Sequence, residues 1–342
     1  MSSEQTCYTH PPFLITMSPE NLISKPDAHM FAYIPIQGLS PYISYHYSLN
    51  FLSIAVLITF IYSIPCSLIL FHLLFSHLTS KKLSGHSIFN AFVQMQLLVT
   101  LDGITDYLAV RIPTTGVFTQ YCAQKDPQLV MKVVTFFYYG TSYASQLFTV
   151  MFCVMRVVIL YCPVYIREKF ESSFNICSFV ALSISFACSI PQFTSDCVCL
   201  QMDDPFPFGA IVILSMFHYG NLIAFNFAYF LFTTLVMLVI LISTYLMFRK
   251  LRERRKLSTI VKSSYSMKTE RTLSVTMLLI LVPLAFEQVV SIGEIFNHPL
   301  LSYLVIIRPV VDDWRTHLVT LYFYFTHPAL KRKKVSQIRS TA

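Results

Sequence analysis

Apolar residues arrive along this chain in seven long runs, at about 49–75, 88–110, 128–160, 173–192, 222–248, 272–296 and 301–326, separated by polar stretches. A helix needs roughly 20 apolar residues to cross the hydrocarbon core of a bilayer. In lipid, every backbone polar group must be satisfied within its own segment, which a helix achieves. The pattern therefore predicts an all-α membrane protein, a seven-transmembrane helix bundle over 49–326. Residues 1–48 would be a tail on one side and residues 327–342 a basic tail on the other. Two stretches are ambiguous. Residues 209–248 contain no Asp, Glu, Lys or Arg over 40 positions, and as one helix they would be about 60 Å long. The seventh run contains RPVVDDWRTH (308–317), with four charges, so its alternative is a re-entrant segment.

Charge resolves both. Nine Lys and Arg residues stand between Arg249 and Arg271. The stretches after runs one and three hold two each and the tail holds five, giving 18 on one side of the predicted membrane. The other side holds three, Lys25, Arg111 and Lys125. Loops rich in Lys and Arg stay cytoplasmic, so the N-terminus is expected outside and the C-terminus inside. A second crossing within 209–248, or a failed seventh, would scramble that bias. Residues 209–221 are accordingly expected in or above the outer leaflet.

Composition agrees, with 55% hydrophobic and only 12% charged residues among 342, against about 25% charged in a typical soluble domain. The formal charge of +8 reads as attraction to the anionic cytoplasmic leaflet and not to nucleic acid. The N-terminus lacks a basic start followed by an apolar stretch, so the first run is expected to act as an uncleaved signal anchor. No metalloprotease His pair, phosphate-binding glycine loop or nucleophile and base at a recognisable spacing is present, and no enzyme activity, cofactor or metal is expected.

Run three ends in MRVVILYCP (155–163), where Arg156 precedes Pro163 by seven residues. This resembles the cytoplasmic end of the third helix in rhodopsin-like G-protein-coupled receptors, although Met155 replaces the usual acidic neighbour. The resemblance implies that Arg156 is a G-protein-facing switch that snorkels to the interface. The plainer reading is an Arg that marks a membrane boundary. LLVTLD (97–102) looks like the second-helix segment ending in a buried Asp, and Pro283 stands where the sixth helix usually kinks. The Asn-Pro-x-x-Tyr and Cys-Trp-x-Pro signatures are missing, which excludes a mainstream member.

Three stretches point elsewhere: TDYLAVRIPTTGVFTQYCA (105–123), LFTVMFCVMRVVILYCP (147–163) and RPVVDDWRTHLVTLYFYFTHPALKRK (308–333). Together they resemble the nematode serpentine chemoreceptors of the Srg superfamily, and RIPTTG followed by YCA is most similar to class U. The resemblance implies a chemosensory receptor in the plasma membrane, carried to the cilium of sensory neurons. Its implied partners are a heterotrimeric G protein and an unidentified small-molecule or peptide ligand. The likeness to rhodopsin-like receptors implies a disulfide from Cys122 to Cys197 or Cys199, closing the second outer loop over the bundle. A zinc site at Cys197-x-Cys199 is not expected, because the spacing is wrong and no His stands nearby.

An ionisable side chain at membrane depth is expensive and marks function by default. Asp102 and Asp106 share a face of run two, as do Glu287 and Glu294 in run six and Arg308, Asp312 and Arg315 in run seven. Asp102, Asp106, Arg308, Asp312 and Arg315 form a candidate polar network, with Asp102 and Asp312 as its switch. Tyr138, Tyr139, Tyr143, Glu287, Glu294 and Trp314 form a candidate ligand pocket. Mutual pairing that only holds the bundle together explains the charges equally well. A transporter or ion channel that uses the charges of helices two, six and seven is the alternative function.

Overall fold

The computed structural model describes residues 34–79, 87–124, 128–257, 264–296 and 301–326. Most of both expected tails, together with Lys81, Lys82 and Lys125, lies outside the described residues. Seven long helical segments follow one another: α1 Phe51–Thr79, α2 from Ser87–Asp106 onward, α3 Gln128–Tyr161, α4 Val164–Thr194, α5 Leu222–Leu257, α6 Ser264–Ile295 and α7 from Leu301–Asp313 onward. Six are long and apolar enough to cross a membrane. The seventh fails that composition test because Arg308, Asp312, Asp313 and Arg315 lie within it.

Hydropathy locates the lipid-embedded part of a helix and not its ends. α4 starts at Val164, nine positions before the predicted run, and its charged first turns carry the Arg167–Glu171 pair at 3.1 Å. α5 runs on to Leu257, where Glu253 meets Arg249 at 3.4 Å and Lys250 at 3.1 Å. Such i,i+3 and i,i+4 pairs support helix in water beyond the apolar stretch. The chain end of the bundle formed by the end of α3, the start of α4 and the end of α5 is called here the basic end.

Two helices change pitch. α2 passes through a π turn, Tyr107–Arg111, into Ile112–Thr114. A proline ring clashes with the carbonyl four residues back in a regular α-helix, and the wider turn relieves Pro113. α7 has its own π turn at Trp314–Leu318 before resuming as Val319–Thr326. Single π turns recur at functional sites because they re-aim neighbouring side chains.

At the end opposite the basic end lies a small cap that the hydropathy pattern did not show. β1 (Ile34–Pro35), β2 (Cys197–Gln201) and β3 (Ile211–Ser215) form an antiparallel sheet in the order β1-β2-β3. Cys197 pairs with Ser215 and Gln201 with Ile211. Cys197, Cys199, Ile211, Ile213 and Ser215 alternate inward, the period-two burial of a one-faced strand. Residues 209–221 are thus a strand and a short helix, Met216–Gly220, and not a further crossing. Gly209 has φ +89°, and a side chain there would strike the ring of Tyr45. Cys122 is bonded to Cys199, so of the two possible partners it is the second that closes the cap. Cys197 lies beside Thr135 Oγ1, 3.7 Å from its sulfur.

Beneath the cap the bundle has two layers. Toward the basic end, Phe92, Phe152, Met155, Ile240, Met277 and Phe323 are fully buried in one apolar cluster, with the Phe92 and Phe323 rings stacked at 3.6 Å. Between that cluster and the cap the interior is polar. α3 and α4 approach closely at Gly140, where a Cβ would lie 2.6 Å from the Phe186 ring.

Candidate functional site

The polar layer surrounds a cavity of about 30 Å³ between α2, α3, α6 and α7, room for roughly two water-sized groups. α7 brings Arg308, Asp312 and Arg315 to its wall at helical spacing, α2 brings Asp102 and Asp106, and α6 brings Glu287. Arg308 lies 3.4 Å from Glu287 and 3.5 Å from Asp312, and donates to the Tyr138 hydroxyl at 3.4 Å. Asp102 accepts from Ser145 Oγ at 3.0 Å. Arg315 donates to the Ser145 carbonyl and to Thr149 Oγ1, each at 3.0 Å. The structure therefore brings all five residues of the predicted polar network to one cavity, although Asp102 and Asp312 share no hydrogen bond among the described residues.

Arg111 requires a correction. Counted from sequence as an outside charge, it is 2% exposed and pairs with Asp106 at 2.5 Å and with Asp313 at 2.9 Å. Its guanidinium also lies 4.3 Å over the Tyr107 ring. The π turn in α2 is what turns Arg111 inward, so no hydropathy window could have found it. Tyr62 of α1 donates to Asp313, and Ser63 of α1 meets His317 at 2.9 Å. A second polar centre thus joins α1 to α2 and α7, and Asp313 is a residue that sequence reasoning passed over. Gln96 was passed over as well. Its amide donates to the Thr316 carbonyl at 2.8 Å and to Thr320 Oγ1 at 2.6 Å, bracing the turn of α7 after the break.

The predicted pocket residues divide. Tyr138 and Glu287 line the cavity, and Tyr229, which was not predicted, donates to Glu287 at 3.2 Å while accepting from Gln146 at 2.9 Å. Tyr139 lies under the cap, its hydroxyl 2.7 Å from His218 Nδ1. Burial holds the His218 imidazole well below its ordinary value, at about 4, against a smaller opposing hydrogen bond to Asn226. Tyr143 packs on the rings of Tyr229 and Phe232. Glu294 is half-buried but is not part of the cavity wall. Trp314 is 39% exposed on the outer face of α7 and so does not enter a pocket, because the residue opening the π turn faces away from the bundle while Arg315 takes the inward position.

Arg156 also differs from expectation. It is 3% exposed at the basic end of α3, buried next to Phe152, Cys153 and Met155, and does not snorkel. Pro163 stands seven residues on as the extended N-cap of α4.

Seven helices with a capped end, a charged cavity among α2, α3, α6 and α7 and a buried Arg at the end of α3 describe a receptor of the G-protein-coupled type, embedded as a multi-pass membrane protein. Within that class the chain belongs to the family described as serpentine type 7TM GPCR chemoreceptor Sru, whose profile matches residues 36–333. It is similar to the serpentine receptor class U-26 of Caenorhabditis elegans, with 27% identity over 256 residues, covering 72% of this chain and 86% of that protein.

Proposed function

We propose that the chain is a chemosensory receptor that binds a small external ligand at the polar cavity and activates a heterotrimeric G protein at the basic end. The observation that carries this reading is the joining of the two regions by shared side chains. Arg315 lines the cavity and donates to Ser145 and Thr149 on α3, about three and two turns above Arg156. A ligand that competes for the carboxylates around Arg308 and Arg315 would shift α7 against α3 and release Arg156 from its burial. A ligand shifts such an equilibrium only by its differential affinity for the two states, and exchangeable ion pairs supply that difference. In this reading the N-terminus and cap are outside, and residues 249–271 and 327–342 are cytosolic. The protein resides in the plasma membrane, at the cilium of sensory neurons. Burial of Arg111 removes one of the three Lys and Arg residues counted outside, and Lys132 at the cap end of α3 is paired with Asp196 at 2.8 Å, so the charge bias behind this orientation is kept.

The test is Arg156. Arg156→Ala should abolish G-protein activation, and because the side chain is buried it should also lower surface level in part. Arg156→Lys should restore surface level more than signalling, since it keeps the charge and loses the planar fork. Activation and surface level are measured together in cells that supply a G-protein reporter. Normal activation per surface receptor in Arg156→Ala sinks the switch. A ligand-gated current in membrane patches that lack G protein would favour a channel using the same charges.

A further inference from the structure

The charges around the cavity do not balance. Four carboxylates line it, Asp102, Asp106, Glu287 and Asp312, with three arginines, Arg111, Arg308 and Arg315. Arg111 is divided between Asp106 and Asp313, and Arg308 between Glu287 and Asp312. Arg315 makes no ion pair among the described residues, since its Nη2 donates to Ser145 and Thr149. Asp102 is left with one hydroxyl donor, Ser145, and no cation within ion-pair distance among the described residues. Arg315 attracts Asp102 only from beyond ion-pair distance, and a carboxylate at membrane depth without a paired cation costs several kcal/mol, so positive charge from outside the protein would be held there.

A second observation on the same wall says what kind. Gln146 is 2% exposed and lines the cavity, yet its Oε1 has no hydrogen-bond partner among the described residues. Its amide orientation is fixed by its neighbours. The Tyr229 hydroxyl donates to Glu287, so it must accept from Gln146 Nε2, which leaves the carbonyl oxygen as the free end. A buried acceptor left unmade costs about 1–3 kcal/mol. Among the described residues the cavity thus offers Asp102 no ion-paired cation and Gln146 Oε1 no donor, and one group with N–H donors and a positive charge supplies both.

We propose that this cavity binds a small primary ammonium, from ammonium itself to a short alkylamine. This rests on the reading of the cavity as the ligand site. A space of about 30 Å³ admits the charged head and one or two carbons. A quaternary ammonium is too large and has no N–H for Gln146.

The probe is methylammonium, and the readout is the unfolding temperature of the purified full chain in lipid nanodiscs at neutral pH and fixed ionic strength. Methylammonium chloride should raise the temperature above that in sodium or potassium chloride. Methanol and tetramethylammonium should not. Asp102→Asn should weaken apparent methylammonium affinity tenfold or more, about 1.4 kcal/mol, and Gln146→Leu should weaken it to a smaller extent. If Asp102→Asn fails to fold, the comparison of probes on the unaltered chain together with Gln146→Leu still decides. Equal stabilisation by sodium overturns the proposal in favour of an inorganic ion. Indifference to every cation with stabilisation as pH falls overturns it in favour of protonated carboxylates. Because the readout needs no G protein, methylammonium binding without activation would leave this inference standing and sink the receptor reading. Activation by some other ligand without methylammonium binding would do the reverse.

Discussion

Around the cavity, α2, α3, α6 and α7 meet through ion pairs and hydroxyls, whereas toward the basic end the same helices meet through Phe92, Phe152, Met277 and Phe323. In lipid the hydrophobic effect does not drive helices together, so close packing and interhelical hydrogen bonds must hold the bundle. The two layers divide those tasks. Packed rings have one good arrangement, and a shift of one ring is felt by all its neighbours. Shared ion pairs such as those of Arg308 have several arrangements of similar energy. The polar layer is therefore the part that can respond, and the apolar layer is the part that can transmit a displacement as a unit.

The largest effect is expected at Arg111, which belongs to the polar layer but anchors it. Arg111→Ala leaves Asp106 and Asp313 buried without a counter-charge, and losing one partner of a buried pair costs about 3–5 kcal/mol. Surface expression should be lost almost entirely. Asp106→Asn with Asp313→Asn in the same chain should recover part of it, measured as surface label per total receptor. No recovery would mean that Arg111 holds the π turn by shape and not by charge.

In the apolar layer, Phe152→Ala should cost about 3–5 kcal/mol, through lost contacts and the space left behind. Thermal unfolding in nanodiscs reads it. If the division of tasks is right, Phe152→Ala lowers stability and leaves ligand affinity unchanged, while changes around the cavity alter affinity first.

The cap gives the next effect. Cys122→Ser should cost about 2–5 kcal/mol, the range for native disulfides in small secreted domains, and Cys122→Ser with Cys199→Ser should be no worse than either alone. Cys197→Ser should be milder. Additive losses on surface delivery for Cys122 and Cys199 would contradict the bond.

The smallest effect is expected at Trp314. Facing outward from α7, Trp314→Leu should change stability by less than about 0.5 kcal/mol and leave the response intact. A lost response would return this residue to the pocket.

The cap and the two π turns are where sequence reading fell short. CVCLQ and IVILS are short apolar segments inside a stretch without charge, and periodicity alone does not separate a buried strand from helix there. Arg111 and Trp314 were placed on the wrong sides for one reason: each adjoins a π turn, and a register change of one residue rotates everything near it.

Membrane residence and six of the crossings were written in segment length, because bilayer thickness fixes it without reference to tertiary contacts, while the seventh was read from charge. The grouping of Asp102, Asp106, Arg308, Asp312 and Arg315 was legible for the same kind of reason, since helical spacing puts them on common faces that lipid will not accept. The pairing itself was decided only by the tertiary structure. Which carboxylate Arg111 takes, whether Cys197 or Cys199 meets Cys122, and whether Arg156 faces water or the core all depend on how helices far apart in sequence are set against one another, and local periodicity carries no information about that.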